Sequence, residues 1–180
     1  MIDSKRIRPS FMVYLNNMME MPLTGNCAEV GVSCGYNAHS MLTHSSITLV
    51  LVDDYKNYVE CPDAESKANS LLELFKDRIQ FIKKSSVEAA KQFPEGHFDY
   101  VYIDAGHTYE DVKSDIEAWL PKVSLGGMIA GHDFWKQEVR DAVLETLKDW
   151  VVCGTAVYSD TPVPSNLASM CDWWVYKGVK

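Results

Sequence analysis

The sequence has no cysteine pair in a C-x-x-C arrangement, and its number of cysteines is odd. The five are Cys27, Cys34, Cys61, Cys153 and Cys171. A disulfide framework needs an even set and a zinc ribbon needs two close pairs, so the spacing argues against both. Unpaired cysteines of this kind are typical of a reducing, cytoplasmic setting.

Long apolar runs are also missing. No segment approaches the roughly 20 apolar residues that span a membrane. The charged N-terminus is not followed by the apolar core of a secretory signal. With 180 residues, 47% of them hydrophobic and 23% charged, the chain is expected to form a single cytoplasmic domain without a membrane partner.

Positive charge is scarce. Lysine and arginine number 17 against 25 acidic residues, which gives a net charge of −8, and no basic block occurs. A surface that follows nucleic-acid phosphates needs a basic stripe. The composition therefore predicts no nucleic-acid partner and leaves a small-molecule partner open.

Apolar segments alternate between strand-like and helix-like spacing. Strands are predicted at 27–32, 47–52, 79–82, 100–103 and 128–130, each followed by a helix, at 36–43, 64–76, 87–92, 109–120 and 136–149. Two final candidates, 151–158 and 171–176, are joined by a proline-rich loop instead of a helix. This order predicts an α/β fold with a Rossmann-like, doubly wound, mostly parallel seven-stranded sheet and an antiparallel C-terminal edge hairpin.

One domain is therefore predicted over residues 1–180. Within it, residues 1–24 would form an N-terminal helix or lid, and residues 25–135 the ligand-binding core. Residues 136–180 would supply the last helix and the strand pair.

The first predicted strand runs into the glycine-rich segment Glu29-Val30-Gly31-Val32-Ser33-Cys34-Gly35. Its G-x-x-x-G spacing differs from the G-x-G-x-x-G of dinucleotide-binding proteins, and no P-loop G-K-S/T follows. Glycines after a first strand let a ligand approach the backbone, although a simple turn would need them too. Glu29 sharpens the prediction, because a carboxylate in an apolar strand needs a partner, which a ligand could supply.

Other strand ends also carry polar side chains. Asp53 lies 22 residues after Gly31, a suitable distance for an acceptor of ribose hydroxyls, with Asp54 as its competitor. Ser85 and Ser86 follow the third strand, where they would meet an adenine edge or cap the next helix.

The fourth and fifth strands each end on a histidine and an aspartate. These are Asp104 with His107, and His132 with Asp133. If the two strands are neighbours, the four side chains converge, and they could hold a divalent metal or provide a general base. The simpler alternative for Asp104 is a helix cap.

In these segments the chain resembles the class I S-adenosylmethionine-dependent methyltransferases, in particular the small branch related to macrolide and sugar O-methyltransferases and cephalosporin hydroxylase. The matching segments are EVGVSCG at 29–35, LVDD at 51–54, KSSVEAA at 84–90, FDYVYIDAGHTYEDV at 98–112, DIEAWLPK at 115–122 and LGGMIAGHDF at 125–134.

The resemblance implies S-adenosyl-L-methionine as the cofactor and roles for individual residues. Asp53 would bind the ribose, Ser85 and Ser86 would border the adenine, and Asp104 would lie beside the methyl group. The residues implied around the methionine end and the glycine turn are Glu29, Gly31, Val32, Ser33, Gly35 and Asn37, and Asp54 completes the cofactor-binding set. In metal-using relatives, acids that match Asp104 and Asp133 coordinate Mg²⁺.

Two departures from the family pattern shape the catalytic hypothesis. Gly106 replaces a second acid, and His132 replaces an acid before Asp133. His107 and His132 thus become the candidate bases, with Asp104 as the third catalytic candidate. The predicted reaction is methylation of a small-molecule hydroxyl, such as that of a sugar or natural product.

The alternatives are a non-catalytic S-adenosylmethionine-binding protein or a subunit of a larger assembly. A homodimer or a partner chain would then complete the substrate pocket. A nicotinamide-dependent oxidoreductase is a third reading, which the glycine spacing disfavours.

Overall fold

A computed structural model describes residues 24–56, 58–150, 152–154 and 172–178. The strands are β1 (Asn26–Val30), β2 (Thr48–Val52), β3 (Ile79–Ile82), β4 (Phe98–Ile103), β5 (Val123–Gly131), β6 (Cys153–Gly154) and β7 (Trp173–Tyr176). The helices are α1 (Tyr36–Thr43), α2 (Ala64–Leu72), α3 (Ser86–Ala90), α4 (Tyr109–Trp119) and α5 (Gln137–Thr146). Short 3₁₀ turns, Glu73–Arg78 and Leu120–Lys122, extend α2 and α4.

The strands form one seven-stranded sheet in the order β3-β2-β1-β4-β5-β7-β6. Strands β1 to β5 pair in parallel, whereas β7 runs antiparallel to both of its neighbours. The strand order reverses between β1 and β4, and open α/β sheets bind ligands at such a point. The predicted Rossmann-like fold with its C-terminal antiparallel pair is confirmed.

Apolar helix faces cover both sides of the sheet. One core contains Met41 and Leu42 of α1 and Leu72 of α2, packed against Leu49 and Leu51 of β2. The other core combines α3, α4 and α5 with the opposite face of the strands, and its members include Ala89, Val112, Ile116, Val139 and Val143. Burial on both faces explains why β1, β2 and β4 are nearly continuous apolar runs.

Strand β5 is longer than predicted. It begins at Val123, so Gly126 and Gly127 lie within the strand and not in a turn before it. The pairing with β4 shifts between Phe98 and Tyr100, and Gly126 has a φ of 81°. The two glycines therefore form a bulge, which a sequence pattern does not distinguish from a turn.

Several predictions concern residues outside the described part of the chain. The N-terminal helix or lid, the proline-rich loop and most of the predicted strand 151–158 are among them. Among the residues that are described, no helix has the length and apolar character needed to cross a membrane.

Candidate functional site

The carboxyl ends of β1 to β4 open into a cleft of about 630 Å³. Six of the residues singled out from the sequence line it: Gly31, Asp53, Asp54, Ser85, Ser86 and His107. Parallel pairing brings these strand ends to one edge of the sheet, although they are distant in the sequence.

Asp53 organises the glycine turn. Its Oδ2 accepts hydrogen bonds from the backbone N–H groups of Val32 at 2.8 Å and Ser33 at 3.0 Å. The N–H of Asp53 itself donates to the carbonyl of Ile82 on β3. A carboxylate that accepts several N–H donors is fixed in position, so Asp53 presents its charge at a defined place in the cleft.

Two tyrosines complete the surroundings of Asp53. The hydroxyl of Tyr58 donates to Oδ2 at 2.6 Å, and the N–H of Tyr55 donates to Oδ1 at 2.8 Å. Burial and this hydrogen bond raise the pKa of Tyr58 above its usual range, so its hydroxyl stays a donor. A ligand hydroxyl that binds Asp53 would therefore meet Tyr58 at the same oxygen.

Glu29 has a protein partner. Its side chain is 1% exposed, and its Oε1 accepts a hydrogen bond from Asn37 Nδ2 of α1 at 3.1 Å. The sequence interpretation suggested that a ligand could be the partner of this carboxylate. In the structure, Asn37 of the chain itself is a partner. Glu29 and Asn37, both predicted to bind cofactor, lie together under the glycine turn.

The two glycines of the turn are required for different reasons. Gly31 has a φ of 89°, and a Cβ there would overlap the backbone carbonyl of Asp104. Gly35 precedes α1 with a φ of 79°, and a Cβ there would lie 3.3 Å from Ala68 of α2. Gly31 thus allows the ends of β1 and β4 to meet, and Gly35 allows α1 to pack on α2.

Ser85 and Ser86 differ in their environment. Ser85 is the exposed N-cap residue of α3, without a side-chain capping hydrogen bond. Ser86 accepts a hydrogen bond from Trp119 Nε1 at 2.9 Å and also bonds the buried carboxyl of Asp115. Burial raises the pKa of Asp115 to about 6. Ser86 is therefore tied to α4 at the floor of the cleft.

Asp54 lines the same cleft but has different partners. Its Oδ1 accepts from the N–H of Lys56 at 2.9 Å, and its Oδ2 lies 3.4 Å from Lys56 Nζ. Unlike Asp53, it forms no hydrogen bond with the glycine turn among the described residues. Of the two acids, Asp53 is the one integrated into the site.

The ends of β4 and β5 bring four ionisable side chains together, as expected for neighbouring strands. His107 Nε2 lies 2.7 Å from Asp133 Oδ2 and 3.8 Å from Asp104 Oδ1. His132 Nδ1 lies 3.3 Å from Asp133 Oδ1 and 3.7 Å from Asp104 Oδ1. Asp133 adopts a φ of 59°, a conformation that non-glycine residues use sparingly and often at functional sites.

Lys136 adds a cation to this cluster. Its Nζ donates to Asp133 Oδ2 at 2.7 Å, and Trp135 Nε1 donates to Oδ1 at 2.9 Å. Burial opposes the charge of Asp133, but hydrogen bonds from His107, His132 and Lys136 outweigh it and hold its pKa well below the usual range. Asp133 is therefore a permanent anion.

The same carboxylates set the charge of His107. Asp104 and Asp133 raise the pKa of His107 to about 9, against a smaller opposing effect of burial. His107 is consequently a cation at neutral pH. Its use as a general base, which the sequence suggested, requires loss of that proton.

Asp104, His107 and Asp133 are close enough to bind one metal ion, since each offers a ligand atom within 4.8 Å of the others. However, Asp133 Oδ2 already accepts from both His107 and the ammonium of Lys136. A magnesium ion would have to displace that ammonium from its ligand, because like charges repel at this distance. The present arrangement does not fit Mg²⁺, and the magnesium expectation is not supported.

Three residues of the site escaped the sequence interpretation. Tyr58 lies in a loop without periodicity, so nothing in the sequence indicated that it would contact Asp53. Lys136 follows Asp133 by three residues, a spacing that could have indicated a local ion pair. Asp115 shares the helical face of Val112, Ile116 and Trp119, and this was a readable signal of a buried acid.

Comparison with known proteins identifies the family to which the chain is similar. A family model described as a methyltransferase domain matches residues 28–134, more than half of the chain. The uncharacterized protein y4gI of Sinorhizobium fredii is 34% identical over 62 residues, which cover 34% of this chain and 6% of that protein. The chain thus spans a small part of the curated relative that it matches.

Solved structures share the fold at low sequence identity. An S-adenosylmethionine-dependent O-methyltransferase from Thermotoga maritima has a TM-score of 0.63 at 13% identity, covering 93% of this chain and 64% of that one. Spermidine synthase from the same organism has a TM-score of 0.61 at 17% identity, with 95% and 62% covered. A proposed rRNA methylase from Clostridium thermocellum has a TM-score of 0.66 at 14% identity, with 92% and 93% covered.

These likenesses define the fold and leave the reaction open, since spermidine synthase shares it. The family match covers the segment that builds the cleft, from β1 to the end of β5. The chain belongs to the methyltransferase domain family, and its fold is the one predicted from the resemblance to class I S-adenosylmethionine-dependent methyltransferases.

Proposed function

We propose that the protein transfers a methyl group from S-adenosylmethionine to a hydroxyl group of a small molecule. The observation that carries the proposal is the position of Asp53. Its carboxylate fixes the glycine turn and lines the cleft that also holds His107. A single cleft would thus accommodate the cofactor and the acceptor.

The residues present fit the cofactor. Asp53 can accept hydrogen bonds from ribose hydroxyls, and Ser85 and Ser86 line the part of the cleft suited to the adenine. When bound, S-adenosylmethionine would supply a sulfonium methyl group as the electrophile. The chain's contribution is mainly alignment of the reactants, and good alignment alone accounts for a large part of such rate enhancements.

A hydroxyl acceptor must also lose its proton. We assign this role to the neutral form of His107, with Asp104 and Asp133 orienting the ring. Because the pKa of His107 is about 9, the neutral form is the minor one at pH 7 and becomes the major one above pH 9. Lys136 keeps a positive charge beside Asp133 whichever form His107 takes, and the proposed mechanism includes no divalent metal.

Isothermal titration calorimetry with S-adenosylmethionine and its demethylated product tests the cofactor assignment. Asp53→Asn should weaken binding at least tenfold, because it removes the charge that receives the ribose hydroxyls. Asp54→Asn is the matched comparison, because Asp54 lines the same cleft but bonds Lys56 instead of the turn, and it should weaken binding less than Asp53→Asn does. Wild-type protein that binds neither compound, or equal losses in the two variants, would refute the assignment.

A non-catalytic binding protein is the second candidate, favoured by the ion pairs that keep His107 protonated and by Gly106 in place of a second acid. The two candidates differ in turnover. Incubation at pH 9 with tritiated methyl donor and a panel of sugars and phenols separates them. Methyl transfer to any acceptor supports the enzyme hypothesis if His107→Ala abolishes the transfer and retains the affinity for the methyl donor.

A further inference from the structure

Two thiols meet beside the cofactor cleft. Cys34 belongs to the glycine turn, and Cys61 lies in the segment between β2 and α2. Their Sγ atoms are 3.1 Å apart, although 27 residues separate them in the sequence. A disulfide bond is about 2.05 Å long, so the two sulfurs are about 1 Å from bonding distance.

The two sulfurs differ in access to solvent. Cys34 is 8% exposed, whereas Cys61 is partly exposed. Polar groups surround Cys61, since Lys67 Nζ lies 3.4 Å and Asp63 Oδ1 3.5 Å from its Sγ. Burial and the neighbouring Cys61 raise the pKa of the Cys34 thiol. Cys61 is therefore the sulfur that a small oxidant reaches first, with Cys34 adjacent to it.

Cys27 provides the internal comparison. It is 1% exposed within β1, and burial raises the pKa of its thiol to about 12. Its Sγ contacts the carbonyl of Gly25 and has no described thiol beside it. Oxidation of such a thiol is disfavoured, because reactivity follows exposure and thiolate character.

We propose that Cys34 and Cys61 are a redox modification site, which forms a reversible disulfide on reaction with a hydroperoxide. The Cys61 sulfur attacks the peroxide, the O–O bond breaks, and the products are a Cys61 sulfenic acid and water or an alcohol. The Cys34 sulfur then attacks the Cys61 sulfur, the S–OH bond breaks, and the hydroxide leaves as water with the Cys34 proton. In total, two thiols lose two electrons and two protons to one peroxide.

The bond would act on the cofactor site through Tyr58. This residue lies three positions before Cys61 and donates its hydroxyl to Asp53 Oδ2. A covalent tie between Cys61 and the glycine turn would hold this segment, and the Tyr58 hydroxyl, in place over Asp53. Ribose hydroxyls would then compete with a fixed donor, so oxidation should weaken S-adenosylmethionine binding, a consequence that rests on the proposed function.

Peptide mapping tests the bond itself. The protein is treated with hydrogen peroxide, blocked with iodoacetamide and digested with trypsin without reduction. Trypsin places Cys61 alone in peptide 57–67, whereas Cys27 and Cys34 share the peptide that ends at Lys56. A Cys27→Ala background makes the assignment unique. The expected result is a cross-linked pair of these two peptides that dithiothreitol separates and that Cys34→Ser and Cys61→Ser each abolish.

Absence of this pair, or preferential linkage to Cys153 or Cys171, overturns the proposal. The second readout is calorimetry with S-adenosylmethionine on oxidised and reduced protein. We expect affinity to fall at least fivefold on oxidation, to recover with dithiothreitol, and to be insensitive to peroxide in Cys34→Ser. Unchanged affinity in the cross-linked protein rejects the effect on the cofactor site. Reduced protein that fails to bind rejects the proposed function and leaves the mapping result standing.

Discussion

The side chain of Asp133 links the two strand ends on which the catalytic proposal depends. It accepts hydrogen bonds from His107, Trp135 and Lys136, and its backbone is in the left-handed region. Such a conformation persists when surrounding contacts over-determine it. Those contacts fix the imidazole of His107 at the mouth of the cleft, and they also keep it protonated.

The first prediction concerns the titration of His107. Its imidazole should titrate near pH 9 in NMR spectra, compared with 6.5 for an ordinary histidine. Asp133→Asn should move the pKa of His107 towards 6.5, because the 2.7 Å partner loses its charge. Asp54→Asn removes a charge that forms no ion pair with His107 among the described residues, and it should change this pKa much less. A wild-type His107 that titrates near 6.5 would be incompatible with the ion pairs described.

This shift has a defined consequence for stability. The folded-state pKa of His107 lies above the unfolded value, so the ion pairs stabilise the fold fully below pH 6.5. That contribution is lost as the pH rises through about 9. The same deprotonation generates the proposed base, so the condition that weakens this contact is the one that favours the reaction.

The second prediction concerns Asp115, whose pKa burial raises from 3.8 to about 6. Because the folded-state value is the higher one, the neutral carboxyl favours the fold below pH 3.8, and this advantage is lost as the pH rises through 6. Above that pH, the fold contains a buried charge. Asp115→Asn should therefore gain stability relative to the wild type at pH 8, on the order of 1–3 kcal/mol.

Urea unfolding at pH 4.5 and pH 8 measures this difference. The gain of Asp115→Asn should be clearly larger at pH 8 than at pH 4.5, where only part of the wild-type penalty is present. Glu117→Gln, an exposed carboxylate on the same helix, should show little change at either pH. A variant that is equally destabilised at both pH values would mean that the Ser86–Asp115 hydrogen bond, and not the charge, dominates.

At the scale of elements, the contact between the ends of β1 and β4 depends on Gly31. Its N–H donates to Val52 O at 2.9 Å, and Asp104 N donates to Val30 O at 2.7 Å. The backbone of Asp104 passes where a side chain of residue 31 would lie. The absence of a side chain at Gly31 thus allows Asp104, at the end of β4, to lie directly beside the glycine turn.

The third prediction compares two glycines with similar backbone angles. Gly31 has a φ of 89° and a crowded Cβ position, whereas Gly126 has a φ of 81° and no atom of the described residues within 4 Å of that position. Gly126→Ala should cost about 1–2 kcal/mol, the strain of the left-handed backbone alone. Gly31→Ala adds a backbone clash and should cost more than about 3 kcal/mol.

The free energy of unfolding in urea, with circular dichroism as the probe, decides between these costs. Similar values for the two variants would show that the β1 and β4 ends separate easily. In that case the close packing of Asp104 against the turn would not be a constraint on the site.

The sequence predicted the elements better than their contacts. β3 was expected at 79–82 and lies at Ile79–Ile82, because buried parallel strands are continuous apolar runs between polar turns. The bulge at Gly126 was not foreseen, since glycine marks turns and bulges alike. Asp53 was identified by its spacing from Gly31, but Tyr58 and Lys136 were not, because loop contacts leave no periodic signal in one sequence.

The whole molecule carries a net charge of −8, and the two principal acids of the site have local partners. Asp53 is held by N–H donors and Asp133 by His107 and Lys136. Lys56, His107 and Lys136 are engaged with carboxylates, whereas Lys84, which also lines the cleft, forms no ion pair among the described residues. A phosphate backbone would meet net repulsion, even though a proposed rRNA methylase shares the fold.

The fourth prediction is that the protein does not bind RNA. Anisotropy of a fluorescent hairpin of about 20 nucleotides should not change up to about 100 µM protein, because nonspecific binding requires several uncompensated cations along the phosphates. The measurement is made at 50 and 200 mM salt, with and without S-adenosylmethionine, and with a basic RNA-binding domain as positive control. Saturable binding that weakens tenfold or more between the two salt concentrations would contradict the prediction. Such a result would also redirect the search for the methyl acceptor from small hydroxyl compounds to RNA.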